Sequence, residues 1–308
     1  MSFEKIISKH SNKEIFFIKP GGNFGDQLIY MGAEKIAKKY NVNFKSLNYD
    51  DFMKTSIPEN SIIYIHGGGG YNSWCSGKPF KILTKLVKIK NAIVIQGSET
   101  VGLEEPFLHS ALAEALAEVN ASSVTIIARE KKSYDFLQGI LPDNINLTID
   151  KDTALYLKKE DIYSEYGNPQ KKYNLRVIRK DPEASFNNPY HFYSSAIVDP
   201  AQDCQSFKHW INLHLSAKSI ITNRTHSAIL GAIIQTPTTI AGGSYHKNRS
   251  IWEYSLKDIG IDWISNDKFK AILKNENYLL MNKMPAKLKN SYKTNFLWNN
   301  YYLKLPQE

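Results

Sequence analysis

The stretch IFFIK-PGGNFGDQ-LIYMGAEKIAKKY, residues 15–40, decides the fold class of this chain. Its first five residues are apolar apart from Lys19 and have the length of a buried β-strand. The glycine-rich segment that follows ends the strand, and residues 28–40 carry apolar side chains at helical spacing. A strand, a glycine-rich loop and a helix in this order form half of a βαβ unit, so the stretch predicts a parallel sheet.

The same order of elements recurs along the first half of the chain. Apolar runs at 61–65, 92–95, 124–128 and 147–149 end in HGGGG, QGSET, REKKSYDFLQ and DKDTALYL. The polar segment 159–172 then breaks the rhythm, and we interpret it as a linker.

The second half of the chain resumes the pattern. Further strand-like runs occur at 175–178, 219–222 and 238–241. We therefore predict an α/β fold of two Rossmann-like, doubly wound domains that face a central cleft. The predicted domains cover residues 1–165 and 166–285, and a basic, aromatic tail or helix follows at 286–308.

The composition limits the class of protein. With 308 residues, two domains of roughly 150 residues are expected. Cys75 and Cys204 are too few for a disulfide framework or a cysteine-rich zinc site. The N-terminus lacks the apolar core of a secretory signal, and no apolar run approaches the roughly 18 residues of a spanning helix, so we expect a cytoplasmic protein. The net charge of +9 indicates an anionic partner.

Glycines and polar residues gather where the predicted strands end, which is the ligand-binding edge of a parallel sheet. Asn23 and Asp26 follow the first strand, although a turn with a helix N-cap also explains them. His66 is followed by four glycines, whose exposed N–H groups suit an anion or a sugar hydroxyl. Trp74 would stack on a sugar ring or pack in the core, and Gln96 is a weak signal by itself.

Cations gather at strand ends in the second half. Arg224 and His226 stand where a helix begins, so the helix dipole favours an anion there, and histidine transfers protons near neutral pH. Lys247 and Arg249 follow the next strand and are candidate phosphate ligands.

Two further arginines emerge from apolar strands. Arg129 and Arg179 must each bind an anion or form a structural salt bridge if they are buried. The sequence has no GxGxxG, GxSxG, P-loop, HExxH or CxxC motif. We therefore expect no metal and no cofactor, and an anion held by cations and backbone.

The ordered set of motifs resembles the polysaccharide pyruvyltransferase family over about residues 20–255. The matching elements are NFGD at 23–26, HGGGG at 66–70, QG at 96–97, AREKKSY at 128–134, DTAL at 152–155, NRTHSAILGAI at 223–233 and SYHKNRS at 244–250. The chain departs from the family at Glu130 and Thr153, where Asp and Pro are usual, and in the segment SETVG after Gln96. The resemblance implies a fold similar to two-domain, GT-B-type glycosyltransferases.

The resemblance also implies a reaction. Pyruvate would pass from phosphoenolpyruvate to a sugar of a surface polysaccharide or its precursor, form a cyclic ketal across two hydroxyls, and release phosphate. The C-terminal domain would bind phosphoenolpyruvate, and the N-terminal domain would bind a glycan or lipid-linked saccharide acceptor.

Each candidate residue then acquires a role in that reaction. His226 and Asp26 are the predicted acid and base, in an order that the sequence does not assign. The predicted phosphoenolpyruvate ligands are Arg224, Lys247, Arg129, Arg179 and Arg249. The predicted acceptor ligands are Asn23, His66, Gly68, Gly69, Trp74 and Gln96.

Two alternatives stay open on the sequence. A glycosyltransferase of the same architecture would use its cations for a nucleotide sugar. A basic chain rich in aromatic residues could bind nucleic acid, although no nucleic-acid motif occurs and we expect no such partner. The tail at 286–308 either packs as a final helix or rests on the inner face of the membrane, so localisation is cytoplasmic with a peripheral contact as the second option.

Overall fold

A computed structural model describes residues 1–72, 77–102, 106–185 and 196–283. For residues 106–108, 196–197 and 276–283 it describes the backbone only. The chain divides between Leu157 and Lys158 into two compact units, called the N-terminal unit and the C-terminal unit below. Both are mixed α/β structures built on a parallel sheet. Trp74 and the tail at 286–308 lie outside the described residues.

The N-terminal unit alternates strands with helices. Its strands are β1 (Glu14–Lys19), β2 (Asn43–Asn48), β3 (Ile62–Ile65), β4 (Gly68–Tyr71), β5 (Ile93–Val101), β6 (Ser123–Ala128) and β7 (Asn146–Ile149). Its helices are α1 (Phe3–Ser8), α2 (Asp26–Lys39), α3 (Tyr49–Lys54), α4 (Lys78–Val87), α5 (Pro106–Ala115) and α6 (Lys131–Ile140), with a 3₁₀-helix at Thr153–Tyr156.

The main path of the first sheet runs β2-β1-β3-β5-β6-β7, and every pairing among the described strands is parallel. Alternate residues of β1 enter two different cores, because successive side chains of a strand point to opposite faces. Ile15 and Phe17 pack in a core with α1 and α2, whereas Phe16 and Ile18 pack in a core with α3 and α4. The sheet is therefore covered on both faces, as the sequence predicts.

In its described residues, the C-terminal unit repeats the plan with five strands. Its strands are β8 (Tyr173–Val177), β9 (Ala196–Val198), β10 (Ala217–Thr222), β11 (Thr238–Ala241) and β12 (Asp262–Ile264), in the parallel order β9-β8-β10-β11-β12. Its helices are α7 (Lys159–Tyr166), α8 (Pro200–Asp203), α9 (Phe207–Leu215), α10 (Thr225–Ile233), α11 (Lys247–Ile251) and α12 (Asn266–Lys283). A π-helix at Trp252–Leu256 and a 3₁₀-helix at Lys257–Ile259 follow α11.

The two sheets share one connectivity. In each, the second strand is added on one side of the first strand and the third strand on the other side. A topological switch point therefore lies between β1 and β3, and another between β8 and β10. Ligands of open parallel sheets bind at such points, beyond the carboxyl ends of the strands.

The segment 159–172, which the sequence predicts as a linker, is partly helical. Residues 159–166 form α7, which buries Ile162 and places the Tyr166 ring against Phe207 of α9. The polar composition concealed the helix because only one of its eight residues is buried. The boundary predicted at 165 and 166 falls inside α7. In the described part of the chain, none of the helices combines the length and the apolar character needed to span a bilayer.

Candidate functional site

The loop between β1 and α2 is folded by its own polar side chains. The Asn23 backbone N–H donates to Asp26 Oδ2 at 2.7 Å, and the Gly25 N–H donates to Asn23 Oδ1 at 2.8 Å. Gly22 has φ +134°, and a Cβ there would collide with the Asp26 carboxylate, so only glycine fits. Asp26 is the first residue of α2 and is half-buried.

The glycine run after β3 lies beside this loop. A Cβ built on Gly68 would come within 3.8 Å of Asp26 Oδ1, so the two loops meet at the switch point. Gly69 is half-buried and Gly68 is buried. Part of the run, Gly68–Tyr71, forms β4 and pairs with the far end of β5, so the glycines are an ordered strand rather than a free connector.

Glu99 is a site residue that the sequence analysis missed. It is 1% exposed on β5, and its carboxylate accepts hydrogen bonds from the Gly70 N–H and from Gln96 Nε2, both at 3.2 Å. Burial raises the pKa of Glu99 to about 8, against the opposing charge of Arg129, and the carboxylates of Asp26 and Asp152 raise it further. A carboxyl group in SETVG, within an otherwise uncharged buried strand, was the signal that could have found it.

Arg129 forms a buried salt bridge, which is one of the two alternatives that the sequence left open. Its side chain is 1% exposed, Nη1 donates to Asp152 Oδ2 at 2.8 Å, and Nε donates to Thr100 Oγ1 at 3.0 Å. Asp152 is equally buried and its other oxygen accepts from the Ala154 N–H at 2.9 Å. The pair thus joins β5, β6 and the turn after β7. We do not include Arg129 in the donor site proposed below.

His66 and Gln96 are both fully buried. The His66 ring makes edge contacts with Phe17, Tyr30 and Tyr64, at centroid distances of 5.3, 4.6 and 5.0 Å. Burial lowers the pKa of His66 well below its usual value, with a smaller effect from Lys19, so the ring is neutral. Neither side chain faces solvent here, and the acceptor contacts proposed below rest on Asn23, Asp26 and the glycines instead.

The second switch point joins the ends of β8 and β10. Val177 and Thr222 are register partners, and Asn223 Oδ1 accepts the Arg179 backbone N–H at 2.8 Å. These contacts bring Arg179 and Arg224, 45 residues apart in the sequence, to one end of the sheet. Arg224 stands immediately before α10, whose N-terminus favours negative charge.

Arg224 is held by two aspartates. Its Nε and Nη2 donate to the two carboxylate oxygens of Asp199 at 2.7 and 2.6 Å, and Nη1 forms an ion pair with Asp181 Oδ2 at 2.8 Å. Asp199 is fully buried and also accepts the Lys180 backbone N–H at 2.9 Å. The bidentate hydrogen bonds to Asp199 fix the orientation of the Arg224 guanidinium plane.

Arg179 and Lys247 continue the same network. Arg179 Nε and Nη2 donate to both Asp181 oxygens at 2.9 Å, and Nη1 donates to Glu183 Oε2 at 2.6 Å. Lys247 forms an ion pair with Glu183. Burial favours the neutral form of Asp181, but Arg179 and Arg224 outweigh it and lower its pKa to about 2. Lys247 and Arg179 likewise lower the pKa of Glu183 despite its burial.

His226 and Arg249 have different positions from this network. His226 is half-buried in the first turn of α10, two residues from Arg224. Arg249 is 45% exposed, pairs with Glu253 at 2.6 Å and lies over the rings of Trp252 and Trp263 at 4.7 and 4.9 Å. The structure therefore brings together three of the five predicted donor ligands, Arg179, Arg224 and Lys247.

These two units, each with its polar loops at the switch point of a parallel sheet, define a Rossmann-like α/β protein. The chain belongs to the polysaccharide pyruvyl transferase family, whose model matches residues 23–244. The family resemblance seen in the sequence is thereby confirmed. Membership indicates a transferase that acts on polysaccharide by pyruvyl transfer.

The fold has a solved counterpart. The crystal structure of a functionally uncharacterized protein from Klebsiella pneumoniae is similar with a TM-score of 0.62, over 85% of this chain and 96% of that chain. The two sequences are 16% identical, so the likeness concerns the fold. Among curated proteins, no significant match to the chain was found.

Proposed function

We propose that the protein transfers pyruvate from phosphoenolpyruvate to a sugar of a surface polysaccharide or its precursor. The product is a cyclic ketal and the leaving group is phosphate. The observation that carries the proposal is the meeting of Arg179, Arg224 and Lys247 at one switch point, in a member of a pyruvyl transferase family. Phosphoenolpyruvate has a carboxylate and a phosphate, and such a pair of anions needs several cations.

The N-terminal unit is suited to the sugar acceptor, because it lacks a comparable cluster of cations among its described residues. Among the described residues near this switch point, the cations Arg129 and Lys19 are paired with Asp152 and Glu34, and the other polar groups include backbone N–H groups, amides and carboxylates. The N–H groups and amides match the donors and acceptors of a neutral sugar, and the carboxylates disfavour a phosphate ester. The arrangement in which both units face a central cleft stays a prediction.

The chemistry needs one proton donor and one acceptor. In the proposed sequence, His226 delivers a proton to the methylene carbon of phosphoenolpyruvate, and C2 becomes an oxocarbenium-like centre. A sugar hydroxyl attacks C2 and gives its proton to Asp26. The C2–O bond to phosphate then breaks, and the second hydroxyl adds to C2 with loss of its proton. The balance is one ketal and one phosphate, with two hydroxyl protons passed to the methyl group and to phosphate. The absence of a metal from this scheme is likewise a prediction.

One assay tests the proposal. The full chain is incubated with phosphoenolpyruvate and glycan precursors of the host, and products are examined for a mass gain of pyruvate minus water and for equimolar phosphate. We expect both signals with the wild type and neither with Arg224→Ala. Stabilisation by nucleotide sugars but not by phosphoenolpyruvate, in a thermal-shift experiment, would instead support the glycosyltransferase alternative.

A further inference from the structure

The cations of the proposed donor site already have anionic partners within the chain. Charges alternate in the order Arg224, Asp181, Arg179, Glu183 and Lys247, and each neighbouring pair is an ion pair. Asp199 adds a second partner to Arg224. Three cations and three carboxylates give this network no net charge, so the chain's own carboxylates already compensate the cations that the donor would need.

The three carboxylates are not equivalent. The Asp199 side chain is fully buried and joins the ends of three strands, because it follows β9 and binds both the Lys180 N–H after β8 and Arg224 after β10, so it belongs to the framework. The Asp181 side chain is 26% exposed and the Glu183 side chain 11%, and both residues lie on the segment that follows Arg179 after β8. They bridge the three cations in pairs, which is what a ligand with two anionic groups would do.

We propose that Asp181 and Glu183 occupy the positions of the donor's two anionic groups, and that donor binding exchanges these carboxylates for the carboxylate and phosphate of the substrate. The inference rests on the proposed function, because it takes phosphoenolpyruvate as the donor. The two residues would then determine specificity. A ligand with one anionic group replaces one internal partner and leaves the other in place, whereas a ligand with two groups replaces both.

The charge balance supports exchange. When Asp181 and Glu183 leave, the network loses two negative charges, and Asp199 remains the partner of Arg224. A carboxylate and a phosphate bring roughly −2.5 to −3 at neutral pH, which restores a near-neutral site. Protonation cannot release the cations instead, because both carboxyl groups have lowered pKa values and stay ionised at neutral pH.

The direction of the expected mutational effect is unusual. Asp181→Asn and Glu183→Gln remove a competitor for the cations, so each should bind phosphoenolpyruvate more tightly than the wild type, by about 5- to 30-fold. Each should also melt at a lower temperature without ligand, because a buried cation loses its partner. Asp199→Asn should act in the opposite direction on binding and weaken it, since Arg224 loses its orientation.

Calorimetric titration of the full chain with phosphoenolpyruvate, with no acceptor present, measures these effects. Asp267→Asn and Glu160→Gln are matched controls, because both remove one negative charge from an exposed position of the same unit. Pyrophosphate, with two anionic groups, and inorganic phosphate, with one, serve as further probes. The ratio of the affinity for pyrophosphate to the affinity for phosphate should be larger in Asp181→Asn and Glu183→Gln than in the wild type.

The outcomes separate the two proposals. Equal or weaker binding by folded Asp181→Asn and Glu183→Gln would overturn the exchange. Tighter binding of pyrophosphate in these variants, with no binding of phosphoenolpyruvate by any form, would keep the exchange and reject the donor.

A wild-type measurement covers the case of a variant that does not fold. The Glu183 backbone N–H donates to Asp181 Oδ1 at 3.1 Å. If the bound ligand displaces Asp181, this hydrogen bond is lost. Amide hydrogen exchange at Glu183 should then be faster in the ligand-bound protein than in the free protein. Slower exchange there would overturn the proposal.

Discussion

The two units share a strand order but carry opposite chemistry at the same place. The switch point of the N-terminal unit has glycine-rich loops, the half-buried Asp26 and Glu99, whose pKa is raised by burial. The switch point of the C-terminal unit has a buried alternation of cations and carboxylates. Because the sheets are alike, the difference between the two sites lies in their loops, and the proposed assignment of the sugar to one unit and the anion to the other rests on these loops.

The largest effect is expected in the C-terminal unit. His226→Ala should lower turnover by about 10²- to 10⁴-fold, because a positioned proton donor is lost. Affinity for phosphoenolpyruvate should change by less than about threefold, since the three cations remain. His209→Ala, a half-buried histidine of α9, is the control. Near-normal turnover in His226→Ala would remove this residue from the chemistry.

Arg129 is a buried cation of the N-terminal unit that we expect to stabilise the fold and not to bind the donor. Arg129→Met should lower the free energy of unfolding by about 3–5 kcal/mol, because the buried Asp152 is left without its cation. Urea denaturation measures the loss, and Arg249→Met, from an exposed ion pair, should cost less than about 1 kcal/mol. Calorimetry at low temperature should find donor affinity unchanged in Arg129→Met, and a large loss of affinity would break the division between the units.

Asp26 tests the proposed role of the N-terminal unit in binding the acceptor. Asp26→Asn should lower turnover by about 10²-fold, because the acceptor hydroxyl loses its base, while the donor affinity stays the same. The amide oxygen can still accept the Asn23 N–H, so the loop should keep its fold. Initial rates and calorimetric titration separate the two effects, and Asp50→Asn, an exposed aspartate of α3, is the control. Weaker donor binding in Asp26→Asn would show that this unit also contacts the donor.

The sequence predicts the elements well and the side-chain partners poorly. Residues 15–40 form a strand, a glycine loop and a helix as predicted, because periodicity and glycine are local signals. The partners of Arg224 are not local: Asp199 and Asp181 reach it only because β8, β9 and β10 end at the same edge. The alternatives for Arg129 and Arg179 could not be decided for the same reason. Helix α7 was missed because a polar helix with one buried residue gives almost no periodic signal.

The smallest effect concerns Glu99, the group in the N-terminal unit that should hold a proton. Its pKa in the folded state is raised to about 8 from 4.5, so the stability it contributes is fully present below pH 4.5 and is lost as the pH rises through about 8. Glu99→Gln cannot ionise. Its melting temperature should therefore match the wild type at pH 4.5 and exceed it at pH 8, by roughly 2–4 °C for each kcal/mol that the shifted ionisation costs the wild type. Differential scanning calorimetry across this range measures the divergence, with Glu118→Gln as an exposed control. Parallel curves for Glu99→Gln and the wild type would mean that Glu99 is ionised in the folded state, and the carboxylates of the first switch point would then carry more negative charge than the comparison assumes.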